Sequence, residues 1–404
     1  MQDSHRQLTY ILIAVFTLLQ LVILAIFGYT PYPDSDGYQL LAQEAIEYGE
    51  PYPVSFLIND YPFLWNIGPI NMTAASLALC HSIIPLLIIY ALMKGTTAWL
   101  FYAVTSKICG ARTAFIALII YIVYPANYGE STSLLSELPF MFFIMLGMYL
   151  SIVRNHSLLG GMMLAIANWF RPMAIVFLLA MIIYFLFKWR KSLKLLIGYV
   201  FIIIVIGSAS MYRTGLFLYQ AKTGWMALTD YSTKHSQQSM EVRDNRDWNV
   251  SQKDSAWRSL FIDWLKDHPT EYIKQMPSKL INTYISDNVN MCTFIPNKEE
   301  KEYMYEEVSM QTLIHAFPHY SVVQWLTVAN LLFYYLLIFA ALLSIEHLNR
   351  QQQLLSINII LIGTLVLLLV GHGEARFHIP FMPFIIIMSA VFINQIMYGK
   401  SRVD

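Results

Sequence analysis

The sequence predicts an all-α polytopic membrane protein with about ten transmembrane helices. Of its 404 residues, 57% are hydrophobic and only 13% are charged, whereas a soluble domain carries about a quarter charged residues. The charges are also confined to islands between apolar runs. No lysine or arginine occurs between Arg6 and Lys94.

Ten apolar runs define the expected spans, because a helix needs about 20 mostly apolar residues to cross a bilayer. They are 8–29, 83–105, 112–126, 133–152, 157–170, 172–188, 193–211, 321–344, 353–371 and 377–397. The first run exceeds a signal-peptide core and no small-residue cleavage site follows it, so we expect a retained first span. The third and fifth runs are short, and the fifth and sixth can form one tight hairpin.

The basic residues predict an orientation, since lysine and arginine collect on the cytoplasmic side. With the N-terminus inside, the cytoplasmic loops and tail carry Lys107, Arg112, Arg154, Lys188, Arg190, Lys191, Lys194, Arg350, Lys400 and Arg402. The short outer loops carry Arg171 and Arg376. Ten spans with both termini cytoplasmic therefore fit the charges.

Two longer segments are then expected outside, 30–82 and 212–320. They divide the chain into an N-terminal transmembrane bundle (1–211), a small, mainly helical extracytoplasmic segment (212–320) and C-terminal transmembrane helices (321–404). Apolar residues at helical spacing predict helices at 254–267, 270–286 and 298–316 in the second segment.

The first outer loop is rich in acids. It carries Asp34, Asp36, Glu44, Glu47, Glu50 and Asp60, without a lysine or arginine. Residues 37–48 have the pattern of an amphipathic helix closed by Gly49. Its apolar face, which comprises Tyr38, Leu41, Ala45 and Tyr48, is expected to rest on the membrane surface.

Asp34 and Asp36 each allow a structural and a functional interpretation. Asp36 is placed to be the N-cap of the helix, where its carboxylate accepts a backbone N–H. Asp34 precedes the cap. It is either a solvated loop acid or a general base at the mouth of the bundle, where it also has the chemistry to bind a divalent cation.

Three further polar sites fall at the outer ends of spans: Glu137, Arg171, and the group Glu374, Arg376 and His378. Ionisable groups at the membrane are costly, which makes them functional candidates. The alternatives are a structural Glu374–Arg376 ion pair and an Arg171 that extends to lipid headgroups. The histidines lack a recognised metal-site spacing.

Other classes of function find no support. The formal net charge is zero, which disfavours nucleic acid as a partner. The chain has no Walker A loop, GxGxxG, HExxH or GxSxG motif, so nucleotide hydrolysis and primary pumping are unsupported. The three cysteines form no metal or disulfide pattern.

Several motifs together resemble the C-type glycosyltransferase superfamily, which includes protein O-mannosyltransferases and the bacterial aminoarabinose transferase of lipid A. The motifs are Asp34-Ser-Asp-Gly-Tyr38, Tyr124-Pro125, Ser136-Glu137, Arg171-Pro172, His268-Pro269 and Glu374-Ala-Arg376-Phe-His-Ile-Pro380. The family's loop often has Asp-Glu where this chain has Asp34-Ser35. The resemblance extends through most of the chain.

The resemblance implies a function and a location. Asp34, with Asp36 beside it, would act in catalysis on a sugar carried by polyprenyl phosphate, with inversion and with a lipid, glycan or protein acceptor. It also implies the bacterial inner membrane, an extracytoplasmic active site and a possible divalent metal at Asp34 and Asp36. Arg171, Arg376 and Arg213 would bind the donor phosphate, while Glu137, Glu374 and His378 would bind the sugar or orient the arginines.

A multi-pass lipid or solute transporter, such as a flippase of the cell-envelope pathway, is the alternative. Transporters place polar groups near the bilayer midplane and often have two similar halves. In this sequence the halves are not alike, the polar candidates lie at span ends, and only Lys94 lies deep within a span.

Overall fold

A computed structural model describes residues 2–49, 66–233, 236–294, 322–371 and 373–399. Within these ranges the chain is helical and contains no strand. The expected helix at 298–316 lies outside the described residues. The all-α class and the polytopic membrane architecture are confirmed by the long apolar helices.

The helices of the first half are α1 (Gln2–Phe27), α2 (Pro33–Tyr48), α3 (Ile67–Cys80), α4 (Ile84–Cys109), α5 (Ala111–Val123), α6 (Glu137–Met148), α7 (Ser157–Phe170), α8 (Ala174–Tyr184) and α9 (Trp189–Thr214). Those of the second half are α10 (Gly224–Ser232), α11 (Ser236–Asp244), α12 (Val250–Asp267), α13 (Pro269–Tyr284), α14 (Val322–Leu343), α15 (Arg350–Val370, with a π turn at Gln353–Ile357) and α16 (Met382–Tyr398). A 3-10 helix, Ala375–Phe381, leads into α16.

Each of the ten predicted spans coincides with a helix, but not each helix is long enough to cross a bilayer. Among the described residues, six helices are long and apolar enough to cross a membrane. A seventh span is possible if α5 and the 3-10 segment after it, which is bent away by 72°, are counted as one. The helices over the fourth, fifth and sixth predicted spans are shorter. The count of ten therefore stays a prediction.

Small residues allow the closest helix contacts in the bundle. Gly161 of α7 faces the backbone of α9, and Gly198 of α9 faces the backbone of α7, so that a side chain at either glycine would collide with Leu195 or Leu158. In membranes, dispersion contacts between closely approaching backbones hold helices together. This packing joins the first turns of α7 to the N-terminal half of α9.

Most of the predicted apolar face of the amphipathic helix α2 is buried against protein rather than free to rest on the membrane surface. Tyr38, Leu41 and Ala42 are buried against Ile70 of α3, while Tyr48 stays exposed. Burial of a large apolar side chain stabilises by about 1.5–3 kcal/mol, and α3 offers that burial. The contact fixes α2, and thereby its first turn, against the bundle.

The segment after α9 is helical, as predicted. The expected helices at 254–267 and 270–286 correspond to α12 and α13. A capping box of Asn249 and Gln252 begins α12, and Pro269 occupies the first turn of α13, where its missing N–H costs nothing. α10 and α11, which are only nine residues each, were not predicted.

We call the end of the bundle that carries α2, α3 and the α10–α13 segment the loop end. Hydrogen bonds hold its segments in place. Tyr272 of α13 donates to the carbonyl of Leu369 in α15 at 2.5 Å, which ties α13 to a span. Tyr32 donates to the carbonyl of Val289 at 2.8 Å, which ties the start of α2 to the chain after α13.

Candidate active site

Four chain segments meet at the loop end and bring five charged side chains together. They are the first turn of α2 with Asp34, the start of α6 with Glu137, the end of α7 with Arg171, and the stretch before α16 with Glu374 and Arg376. These positions span more than 340 residues of sequence. We refer to the five side chains as the carboxylate–guanidinium cluster.

Arg376 joins two of the acids. Its Nη1 donates a hydrogen bond to Oδ2 of Asp34, and its Nε lies 2.6 Å from Oε1 of Glu374. The three side chains are 16%, 25% and 28% exposed, so they are shielded but accessible to a ligand. The first outer loop itself has no lysine or arginine, and Arg376 brings a positive charge to its Asp34 from a segment far along the chain.

Arg171 pairs with Glu137 in the deeper part of the cluster. Its Nη1 makes an ion pair with Oε1 of Glu137, and the two side chains are only 9% and 4% exposed. The guanidinium also stands over the ring of Phe377, 5.6 Å from its centroid. Arg171 therefore does not extend to lipid headgroups, and its position is fixed.

The two pairs form one electrostatic unit, because both Arg171 and Arg376 attract the charge of Glu137. Two guanidinium groups thus face three carboxylates. A phosphate group would have to take the place of a carboxylate at one of the arginines, since the cations are already neutralised. The more exposed Arg376 is the accessible one.

The start of α2 determines where Asp34 and Asp36 point. The helix begins at Pro33 with Tyr32 as its N-cap, so the prediction that Asp36 is the N-cap is wrong; Asp36 lies inside the first turn. Residues two apart on a helix do not face each other, and Asp36 is exposed while Asp34 pairs with Arg376. The two acids therefore do not face a common point where they could share a metal ion. Among the described residues there is also no group of three or more potential metal ligands.

Tyr38 is a further residue of the site; the sequence had indicated it as part of an apolar face and as the aromatic residue of the Asp34-Ser-Asp-Gly-Tyr38 motif, without a role in the chemistry. Asn66 donates a hydrogen bond to its hydroxyl at 3.0 Å. Burial, followed by the negative charge of Asp34, raises the pKa of Tyr38 above its ordinary value. Tyr38 is therefore a neutral phenol one helical turn from Asp34.

His378 is fully buried, so it is not placed to contact a sugar. Its Nδ1 lies 2.7 Å from the carbonyl oxygen of Thr283, and because a carbonyl only accepts, Nδ1 carries the proton. Its Nε2 lies 3.5 Å from Oδ1 of Asp287, which is also buried. Only an orienting role remains for His378: it ties the turn that bears Arg376 to the end of α13.

The structure does not bring Arg213 to the cluster. Arg213 is exposed in the last turn of α9, and within the described part of the chain no ion pair joins it to Asp34, Glu137 or Glu374. Asp287 had drawn no attention in the sequence, because a single acid in a polar segment gives no signal. Only its position opposite His378 distinguishes it.

Lys94 and Glu130 form a second buried pair, deeper in the bundle. The Lys94 ammonium lies 2.5 Å from Oε2 of Glu130 and 3.0 Å from Oδ1 of Asn127. Both residues of the pair are at most 6% exposed. They line a small cavity of about 20 Å³ that Asp287 also borders, which is room for about one water molecule.

Comparison with solved structures gives distant likenesses. The chain is similar to the crystal structure of ArnT from Cupriavidus metallidurans bound to undecaprenyl phosphate, with 13% identity, a TM-score of 0.43, and coverage of 98% of this chain and 78% of that one. No protein-family model matches the sequence, and no curated protein matches it. The functional inference therefore rests on the side chains of the carboxylate–guanidinium cluster.

Proposed function

We propose that the protein is a membrane glycosyltransferase that moves a sugar from a polyprenyl-phosphate donor to an acceptor hydroxyl with inversion. The observation that carries the proposal is the pairing of Asp34 with Arg376. It joins a candidate base and a candidate phosphate-binding group that are 342 residues apart. The motif resemblance gives these same two residues complementary roles.

The pairing also suggests how the base is released. While Oδ2 of Asp34 accepts a hydrogen bond from Arg376, that oxygen is not available to take the proton of an acceptor hydroxyl. When the donor enters, its phosphate oxygens compete for the planar donor fork of Arg376. Asp34 is then free to turn toward the acceptor hydroxyl, so that donor binding precedes activation of the acceptor.

The chemical step balances with these residues alone. Asp34 takes the proton of the acceptor hydroxyl, and the oxygen attacks the anomeric carbon from the face opposite the phosphate. The bond between the anomeric carbon and the phosphate oxygen breaks, and polyprenyl phosphate departs with the electron pair. Arg376 stabilises the charge that develops on the leaving phosphate, while Arg171 and Glu137 hold the adjacent backbone and Glu374 orients Arg376.

Replacement of Asp34 by asparagine tests the base assignment. General-base catalysis contributes about 10²- to 10⁴-fold, so Asp34→Asn should lower kcat by that order in sugar transfer from a purified polyprenyl-phosphate sugar. The matched control is Glu47→Gln, which neutralises an exposed acid of the same helix. Folded Asp34→Asn protein with full kcat would refute the assignment.

A transporter or flippase remains the second candidate, and the buried Lys94–Glu130 pair favours it. Charges inside a transmembrane bundle often mark ion or substrate pathways. Proteoliposomes distinguish the two functions. The transporter would be favoured if wild-type protein takes up a solute or translocates a lipid but transfers no sugar, and if Glu130→Gln abolishes that transport.

A further inference from the structure

A dense group of basic residues occupies the end of the bundle opposite the loop end. It comprises Lys107, Arg112, Arg154, Lys188, Arg190, Lys191, Lys194 and Arg350. All of them lie at helix ends or in the short connections between α4 and α5, α6 and α7, α8 and α9, and at the start of α15. We call this group the basic surface.

Three lysines form the centre of the basic surface. The backbone N–H of Lys191 donates to the carbonyl of Lys188 at 2.7 Å, so the two lysines lie in the same turn. Lys107 comes from the last turn of α4, and its positive charge acts on Lys191 together with that of Lys188. The Lys191 ammonium donates a hydrogen bond of 2.5 Å to Oδ1 of Asn155. Asn155 adopts a left-handed backbone conformation with φ of 59°, which turns the connection after α6 toward the lysines.

The basic surface has no carboxylate partner among the residues that the structure describes. Across these ranges no carboxylate forms an ion pair with any of the eight basic residues. Like charges at short range repel each other. An anion from outside the chain that lies between the ammonium groups would relieve this repulsion.

The neighbouring side chains indicate where that anion is located. Leu186, Phe187 and Trp189 are 60%, 74% and 64% exposed, directly beside Lys188. Arg350 stands over the ring of Phe187, 4.9 Å from its centroid. Exposed aromatic rings next to the end of an apolar span are typical of the headgroup layer of a membrane. An anion bound by the basic surface is thus expected at headgroup depth.

We propose that Lys107, Lys188 and Lys191 form a binding site for the phosphate of an anionic phospholipid headgroup, with the acyl chains lying beside Leu186 and Phe187. The site is distinct from the carboxylate–guanidinium cluster and does not depend on the function proposed above. Basic pockets between transmembrane helices have the chemistry to bind such headgroups. By the positive-inside rule the lipid belongs to the cytoplasmic leaflet.

Native mass spectrometry of the full-length protein tests the site by titration with phosphatidylglycerol or phosphatidylcholine of identical acyl chains. Each basic residue near an anionic headgroup strengthens binding about fivefold. The triple variant Lys107→Gln, Lys188→Gln, Lys191→Gln should therefore bind phosphatidylglycerol about a hundredfold more weakly, while its binding of phosphatidylcholine is unchanged.

Two controls keep the result interpretable. The variant with arginine at all three positions retains the charge and should bind phosphatidylglycerol as wild type does, which separates lost charge from misfolding. Lys266→Gln removes an exposed lysine at the loop end that pairs with Asp263, and it should have no effect.

Three results would overturn the proposal. They are equal retention of phosphatidylglycerol by the triple glutamine variant and wild type, equal binding of the two lipids by wild type, and full displacement of the lipid by inorganic phosphate. The last result would show that the lysines recognise a free anion and that the acyl chains contribute nothing.

Discussion

Replacement of Arg376 by lysine keeps the positive charge but removes the planar fork. In the structure Nη1 of Arg376 faces Asp34 while Nε faces Glu374, so one guanidinium serves two partners that lie on different sides. A lysine ammonium is a single point on a flexible stem. It can replace one of these contacts but not both.

The expected loss follows from one missing charge-assisted hydrogen bond. Such a bond contributes about 1.5–3 kcal/mol, which corresponds to about a 10- to 150-fold weaker affinity for a ligand that uses it. Because the phosphate belongs to the donor, KM for the donor should rise in Arg376→Lys, whereas KM for the acceptor should stay close to that of wild type. Arg376→Ala should show the same selectivity with a larger loss.

The assay is steady-state sugar transfer with the donor varied at saturating acceptor, and then with the acceptor varied at saturating donor. Arg258→Lys is a matched control, because Arg258 is an exposed arginine of α12 without a place in the cluster. If Arg376→Lys has the same KM for donor and for acceptor as the wild-type protein, the phosphate role is refuted. An equal loss for donor and acceptor would show that Arg376 only maintains the structure.

Three further predictions concern the supports of the site. Glu137→Gln leaves the buried guanidinium of Arg171 without its carboxylate and should lower the free energy of unfolding by about 3–5 kcal/mol. Thermal or denaturant unfolding in detergent measures this loss, and an unchanged melting temperature would contradict it. Asp287→Asn should retain activity, because its amide can donate to Nε2 of His378, whereas Asp287→Leu should lose it, and equal activity of the two variants would exclude the orienting role. Burial lowers the pKa of Lys279 to about 8, below its value in the unfolded chain. Between pH 8 and about 10.4 the unfolded chain therefore binds more protons at this residue, and the free energy of unfolding should rise with pH. In Lys279→Met this rise should be absent.

The sequence was most informative where hydrophobicity alone decides the structure. Apolar runs of about 20 residues, such as those that became α1, α4 and α9, have few alternatives to a membrane-spanning helix, because each backbone polar group must be paired within lipid. Short runs were less informative. The same composition suits a full span or a shorter buried helix, as α7 and α8 illustrate.

The sequence was least informative about partners. It predicted an amphipathic helix near residues 37–48 but placed its apolar face on the membrane, because α3 as a packing partner cannot be recognised from the periodicity of α2. The family resemblance implied that Arg213 binds the donor phosphate with Arg171 and Arg376, although the structure leaves the Arg213 side chain exposed. It also counted His378 among the sugar-binding candidates, whereas the fold buries it against Asp287.

By itself the sequence determined that the chain is a helical membrane protein with acids in its first loop, isolated arginines at span ends and a basic group on the other side. These features follow from local composition, because the preference of a segment for water or lipid depends on the transfer free energies of its own side chains. The tertiary structure alone decided that Asp34 pairs with Arg376 and Glu137 with Arg171. Such pairs form between segments far apart in the chain, and only the packing of α2, α6, α7 and α16 brings their charges within a few ångströms.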